Sequence, residues 1–237
     1  MLDIQNLPNK APEYNLQDLL EAGCHFGHQV AKWHPHMQKY IYMEKDGVHI
    51  FDLAKTATQL QQAYNAAYEL GKTGKSLVIV GTKRQAREVI LEKAPAAGIP
   101  YITSRWLGGL LTNWEQVRKS LKRMIFIEEG LKTDKFKGYT KYERNQLEKE
   151  LTRLKRFFEG IRGLANKPDA LFIIDVNTEK VAVKEAEGEV FTIALVDTNS
   201  NPDPIDLVIP ANDDGKKSVE LIAAVVIAGY VAGKNDK

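Results

Sequence analysis

Four short, nearly unbroken apolar runs constrain this chain more than anything else in it: SLVIVG from Ser76, ALFIID from Ala170, VFTIALVD from Val190 and DLVIP from Asp206. None alternates apolar with polar, so each predicted strand must be buried on both faces, as strands are in parallel sheets covered by helices on either side. The intervening stretches supply those helices. Residues 83–94 have helical character and give way at Gly98 and Pro100, YIT from Tyr101 is a short strand, and Thr178–Glu187 and Ser218–Val231 are further helices. Alternating strands and helices with right-handed crossovers predict an α/β fold, a doubly wound parallel sheet of about five strands.

Ahead of the sheet, NLQDLLEAG predicts a short helix capped by Asn15 and stopped by Gly23. KYIYM and VHIF flank Glu44-Lys45-Asp46-Gly47 as a hairpin, and Leu60, Tyr64, Ala67 and Tyr68 place a helix over Thr56–Leu70. Between Ser104 and Lys167 the rhythm breaks. Thr112-Asn113-Trp114-Glu115 and Thr140-Lys141-Tyr142-Glu143 are both capping-box patterns. The first opens a stripe of Trp114, Val117, Leu121 and Met124, the second a stripe of Leu147, Leu151, Leu154 and Phe158. Two amphipathic helices joined by LKTDKFKGY predict an antiparallel coiled-coil hairpin over residues 112–158. It is expected to project from, and be separable from, a discontinuous α/β domain of residues 1–111 and 159–237.

The 237 residues, 43% hydrophobic, are enough for one such domain with its elaboration. The lone Cys24 excludes an internal disulfide and fits a reducing compartment. The opening MLDIQNLPNKAPEY lacks a basic region followed by an apolar run, so a cytoplasmic location is expected. LIAAVVIAGYVAG from Leu221 is too short to cross a bilayer and reads as a buried helix, so no membrane partner is expected. Net charge is +2 overall, but +2 over residues 1–111, +7 over 112–167 and −7 over 168–237. A basic middle segment suits an anionic partner.

The familiar catalytic signatures fail on inspection. Gly71-Lys72-Thr73 and Gly74-Lys75-Ser76 end like phosphate-binding loops, but Ala66 and Glu69 stand where the earlier glycine is required, and both tripeptides precede their strand instead of following it. No GxGxxG follows a strand. Asp175 and Asp197 fall at the carboxyl ends of strands, with Asp203, Asp206, Asp213 and Asp214 near in sequence. Magnesium, with Asp175 and Asp197 as candidate ligands, is the one cofactor this pattern admits, although such residues more often shape turns. Cys24, His25, His28, His34 and His36 crowd together, yet a single thiolate argues against a closed zinc site and favours an RNA-facing or core-supporting role. A nucleotide-binding or phosphoryl-transfer α/β enzyme is the alternative reading from a different class.

Basic and aromatic residues interleave at Lys32-Trp33-His34, at Lys83-Arg84 with Arg87, at Arg105-Trp106, and at Trp114 followed by Arg118, Lys119, Lys122 and Arg123. Phosphate neutralisation combined with stacking on bases uses this chemistry. The candidate RNA-binding set is therefore His25, His28, Lys32, Trp33, Lys83, Arg84, Arg87, Arg105, Trp106, Trp114, Arg118, Lys122 and Arg123. Trp106 and Trp114 fit equally well as an apolar plug between helices and sheet.

Five segments, in order, resemble one family: LLEAGCHFGHQ from Leu19, VGTKRQA from Val80, RWLGGLLTNW from Arg105, PDALFIIDVN from Pro168 and ALVDTNSNPDPIDLVIPANDD from Ala194. They resemble the bacterial-type second protein of the small ribosomal subunit, over nearly the whole chain. RWLGG with LTNW, and VDTN with IPANDD, are the most specific parts. KEAEGEVFTIALVD departs by lacking the family's usual Gly-Ile-Pro before the strand. The resemblance implies a Rossmann-like α/β domain carrying a coiled-coil hairpin, and no enzymatic activity. It further implies a structural role in the ribosome, binding small-subunit ribosomal RNA at the head–body junction near the messenger exit. The implied protein partners are neighbouring small-subunit proteins and, in bacteria that possess it, the large messenger-binding first protein.

Overall fold

The computed structural model of the chain describes residues 2, 4, 7–133 and 135–236. Five strands, β4 (Leu77–Val80), β5 (Tyr101–Ile102), β6 (Ala170–Ile174), β7 (Phe191–Val196) and β8 (Leu207–Pro210), form one parallel sheet in the order β5-β4-β6-β7-β8. In-register pairing aligns Tyr101, Ile79, Phe172, Ile193 and Leu207 in one row across it. Because side chains alternate along a strand, the apolar runs divide between two cores. Leu77, Ile79, Phe172, Ile174, Ile193 and Leu195 pack beneath α2 (Leu53–Lys72), α3 (Arg84–Ala96) and α7 (Lys216–Asn235). On the opposite face Val78, Val80, Leu171, Ile173, Ala194 and Val196 are covered by α4 (Trp114–Lys132), α6 (Lys180–Ala186) and the segment around Trp106 and Leu110. The doubly wound, Rossmann-like sheet expected from the sequence is thus present.

Helix α2 starts three residues before the expected Thr56 because the Asp52 carboxylate caps it, accepting from the Ala54 N–H at 3.1 Å. Its contact with α7 is backbone against backbone. A Cβ on Gly229 or Gly233 would collide with the carbonyls of Tyr64 and Tyr68, and one on Gly71 with that of Tyr230. The Gly71-Lys72-Thr73 tripeptide therefore serves helix packing. α7 is longer than the apolar run suggests, and by length and composition alone it could cross a membrane, which corrects the expectation that it is too short. Half of its most apolar window is buried, with Val219, Ile222, Ala223 and Val226 in the first core, as befits a core helix.

Near the amino terminus, α1 (Leu16–Glu21) is capped by Asn15 as expected. A three-stranded antiparallel sheet follows, with β3 (Val48–Phe51) between β1 (Phe26–Gln29) and β2 (Ile41–Lys45). Asp46 and Gly47, at φ 53° and 75°, supply the left-handed pair that a two-residue hairpin turn needs. Strand β1 was not expected. It is tied to the end of β7, where the Thr198 hydroxyl accepts from the His28 N–H at 2.8 Å and the Thr198 carbonyl from the His34 N–H at 2.7 Å.

The two helices of the basic segment, α4 and α5 (Lys141–Phe158), lie where expected, but they settle differently. Val117, Leu121 and Met124 of α4 join the second core beneath the sheet, so this helix does not stand clear of the domain. On α5 only Phe158 is buried, with Leu151, Leu154 and Phe157 packed against the edge of that core.

Candidate nucleic-acid interface

The carboxyl edge of the sheet collects charge. Asp175 follows β6, Asp197 follows β7, and Asp213 and Asp214 follow β8. The Lys83 ammonium, carried in by the loop after β4, lies 2.6 Å from Asp213, 2.6 Å from Asp214 and 3.3 Å from Asp175. Burial weighs against its charge, but Asp213, Asp214 and Asp175 outweigh burial and hold its pKa above the ordinary lysine value. Burial, together with Asp175 and Asp197, pushes the Asp213 carboxyl well above its usual range despite Lys83. The His28 imidazole completes the cluster, 3.0 Å from Asp197 and 3.4 Å from Asp214. Its hydrogen bond to Asp197 raises its pKa against the opposing effect of burial.

Asp175 and Asp197, the two candidate magnesium ligands, are both engaged by groups of the protein itself. Asp175 accepts from the Thr178 N–H and hydroxyl at 3.0 and 2.7 Å and faces Lys83, while Asp197 accepts from the Thr198 N–H at 2.5 Å and faces His28. No group of three or more His, Cys, Asp or Glu side chains among the described residues is arranged to hold a metal ion. The Cys/His stretch separates too, apart from the His34 and His36 rings, which meet edge to edge at 5.0 Å. Cys24 is buried in the first core, the His25 ring lies 3.9 Å from that of Phe26 with the planes tilted by 40°, and His36 pairs with Asp203 at 2.5 Å.

The thirteen candidate RNA-binding residues separate into two sets. Lys32, Arg84, Arg87, Arg105, Arg118, Lys122 and Arg123 are exposed. Of these, Arg123 makes a two-pronged pair with Glu150 at 3.0 and 2.9 Å, and the Arg87 Nε donates to the Thr103 carbonyl at 3.2 Å. The other six are turned inward to varying degrees. Lys83 and His28 are engaged with carboxylates, His25 and Trp33 are half-buried, and Trp33 lies 5.3 Å from the His49 ring. Trp106 is 5% exposed within the second core, and Trp114 is half-buried against it, so both act as the apolar plug. Neither indole N–H has a partner among the described residues. The RWLGG turn that carries Trp106 is pinned by Glu185, which accepts from the N–H groups of Gly109 and Leu111 at 2.6 and 3.2 Å. Gly109 adopts φ 88°, a conformation suited to glycine.

Two features lay beyond the reach of sequence patterns. Glu128, on α4, is 6% exposed and pairs with Lys155 at 2.6 Å and Arg162 at 2.6 Å, which tie it to α5 and the turn beyond. The hydrogen bond from Lys155, then Arg162, hold its carboxyl down at about 2 against the effect of burial. Glu179, after β6, accepts from the Thr82 N–H and hydroxyl at 2.9 and 2.6 Å, while burial pushes its pKa up. Glu128 stands between Ile127 and Glu129, and Glu179 between Thr178 and Lys180, so neither is marked out by its neighbours in sequence.

A doubly wound sheet whose acidic edge is paired with its own lysine and histidine, with exposed arginines and lysines on the adjoining loops and helices, defines a binding scaffold. The ribosomal protein S2 family profile matches residues 19–233. Relatives called small ribosomal subunit protein uS2 include one from Flavobacterium johnsoniae, 41% identical over 228 residues covering 96% of this chain and 90% of the relative. One from Chlorobaculum tepidum is 45% identical, covering 90% of this chain and 86% of the relative, and one from Chloroflexus aurantiacus is 43% identical, covering 92% of each. The chain belongs to the ribosomal protein S2 family, a family of structural proteins and not of enzymes.

Proposed function

We propose that this chain is a structural constituent of the small ribosomal subunit, binding its RNA at the head–body junction near the messenger exit. The observation that carries this reading is the family match across residues 19–233, with relatives named for that subunit. In this reading the exposed Lys32, Arg84, Arg87, Arg105, Arg118, Lys122 and Arg123 contact phosphates, and His25, His28, Trp33, Lys83, Trp106 and Trp114 hold the surfaces that present them. Helices α4 and α5 form the antiparallel coiled-coil element of residues 112–158 between the two halves of the α/β domain, cross-tied by Arg123–Glu150 and Lys155–Glu128, and bring the basic excess to the RNA. The partners are small-subunit RNA and neighbouring small-subunit proteins, including the first where it exists, and the location is the cytoplasmic ribosome.

Sedimentation of a lysate tests the reading. The chain travels with small subunits if it is right and remains near the top of the gradient if it is wrong. Affinity for ribosomal RNA fragments should also fall steeply between low and physiological salt as counterions are released.

A further inference from the structure

Strand β4 hands its crossover through α3 outward to β5, whereas β6 hands its own through α6 to β7 on the other side. Between the carboxyl ends of β4 and β6 the winding therefore reverses, and in open α/β sheets this crevice is where ligands enter. A cavity of about 690 Å³ lies there, beside the Lys83 corner, with Thr82, Arg105, Trp106, Arg156, Phe157 and Glu179 among its walls. That size is typical of small-molecule sites.

Its chemistry is one-sided. Neither Arg105 nor Arg156 has a carboxylate within 4.0 Å among the described residues, and the Arg156 Nε donates to the Ser104 hydroxyl at 3.4 Å. The Arg156 guanidinium lies 5.6 Å from the Phe157 ring, so charge and an aromatic face sit side by side. Deeper in, Glu179 is 3% exposed. Its Oε1 takes both donors of Thr82, and no protein donor reaches Oε2 among the described residues. A buried acceptor beside unpaired cations cannot welcome a phosphate at both ends. It orients a ligand that has phosphate at one end and N–H donors at the other.

We propose that this crevice is a pocket for one nucleotide unit with an amino-bearing base, its phosphate held by Arg105 and Arg156, its base laid against Phe157 and Trp106, and its amino group donating to Glu179. The inference rests on the reading that the chain binds RNA. Uracil is disfavoured because its single N–H lies between two carbonyl oxygens that would face the carboxylate. The unit is either a residue extruded from RNA or a free nucleotide, since both present the same groups.

The test uses the full chain and two fluorescein-labelled RNA hexamers, one all-uridine and one with a single central guanosine, followed by anisotropy. The guanosine hexamer should bind roughly ten-fold more tightly, the scale of one hydrogen bond to a charged group. Arg105→Ala and Arg156→Ala should weaken both hexamers with an unchanged melting temperature, and Glu179→Gln should abolish the preference for guanosine. Phe157→Leu, which preserves the apolar wall, should weaken the guanosine hexamer even if Glu179→Gln fails to fold. Equal binding of the two hexamers by the wild type, or arginine variants that bind like wild type, overturns the pocket. Calorimetry with millimolar 5′-GMP separates the sources: binding that is lost in Arg156→Ala admits a free nucleotide, and hexamer binding alone assigns the unit to RNA. Co-sedimentation with small subunits is followed in parallel. A chain that co-sediments but does not discriminate between hexamers loses the pocket and keeps its ribosomal role, whereas one that stays out of the subunits loses that role whatever the hexamers show.

Discussion

Helices α4 and α5 have nearly equal lengths, 19 and 18 residues, and nearly equal sequence signatures, yet they are stabilised by opposite means. α4 sends Val117, Leu121 and Met124 into the core beneath the sheet, and its expected capping box does not form: the N-cap falls on Asn113 instead of Thr112, and Asn113 makes no side-chain cap bond. α5 is largely exposed, and its box closes fully, with the Thr140 hydroxyl accepting from the Glu143 N–H and the Glu143 carboxylate accepting from the Thr140 N–H. A helix held by tertiary burial can do without local end-satisfaction, whereas one that stands mainly in solvent depends on caps and ion pairs.

The largest effect should come from replacing residues 112–158 with a flexible linker. Separability was expected from the sequence, but the replacement strips Val117, Leu121, Met124 and Phe158 from the core and uncovers Val78, Val80, Leu171 and Ile173. At about 2 kcal/mol for each lost apolar side chain, the loss approaches the whole stability of a typical domain. The remainder should melt without a cooperative transition by differential scanning calorimetry, and a sharp transition near the full-length temperature would restore separability. Next in size, Met124→Ala should cost about 2–5 kcal/mol in urea unfolding, against less than about 1 kcal/mol for the half-buried Leu147→Ala. Equal losses would erase the distinction between the helices.

Glu128→Gln removes one of the two charged links described between them, leaving Arg123–Glu150 in place. Because Lys155 and Arg162 depress the folded-state pKa of Glu128 from 4.5 to about 2, its contribution is complete above pH 4.5 and vanishes as pH falls toward 2. The variant should therefore be less stable than wild type at pH 7, with the gap narrowing as the medium is acidified, and a gap independent of pH would remove the ion pair from the account. The smallest contrast lies at the caps. Thr140→Ala should cost about 1 kcal/mol, and Asn113→Ala no more than a few tenths, by thermal melts of the two variants side by side.

The sheet was legible because strands buried on both faces cannot hide their composition: β4, β6, β7 and β8 all fall within the apolar runs. β1 was not, since Phe26–Gln29 is half-exposed and becomes a strand only by pairing with β3. The first capping pattern misled for a related reason, in that local chemistry was outvoted by the burial of α4. At the candidate interface, sequence located the arginines but not their circumstances. Lys83 resembles its neighbours Arg84 and Arg87 until Asp175, Asp213 and Asp214, remote in sequence, close around it. Arg156 and Glu179 acquire a shared meaning only when the sheet brings β4 and β6 side by side.

The close approach of α7 to α2 also imposes an order on the making of the molecule. The side of α2 that meets Gly229 and Gly233 has no cover until those glycines have been synthesised. Elongation from Lys72 to Asn235 takes roughly 10–30 s at ordinary rates. Throughout that interval a nascent chain carries Leu60, Ala63, Ala67 and Leu70 without their final neighbours. The first core therefore closes only once α7 has been synthesised, and until then the growing chain exposes an apolar helix surface.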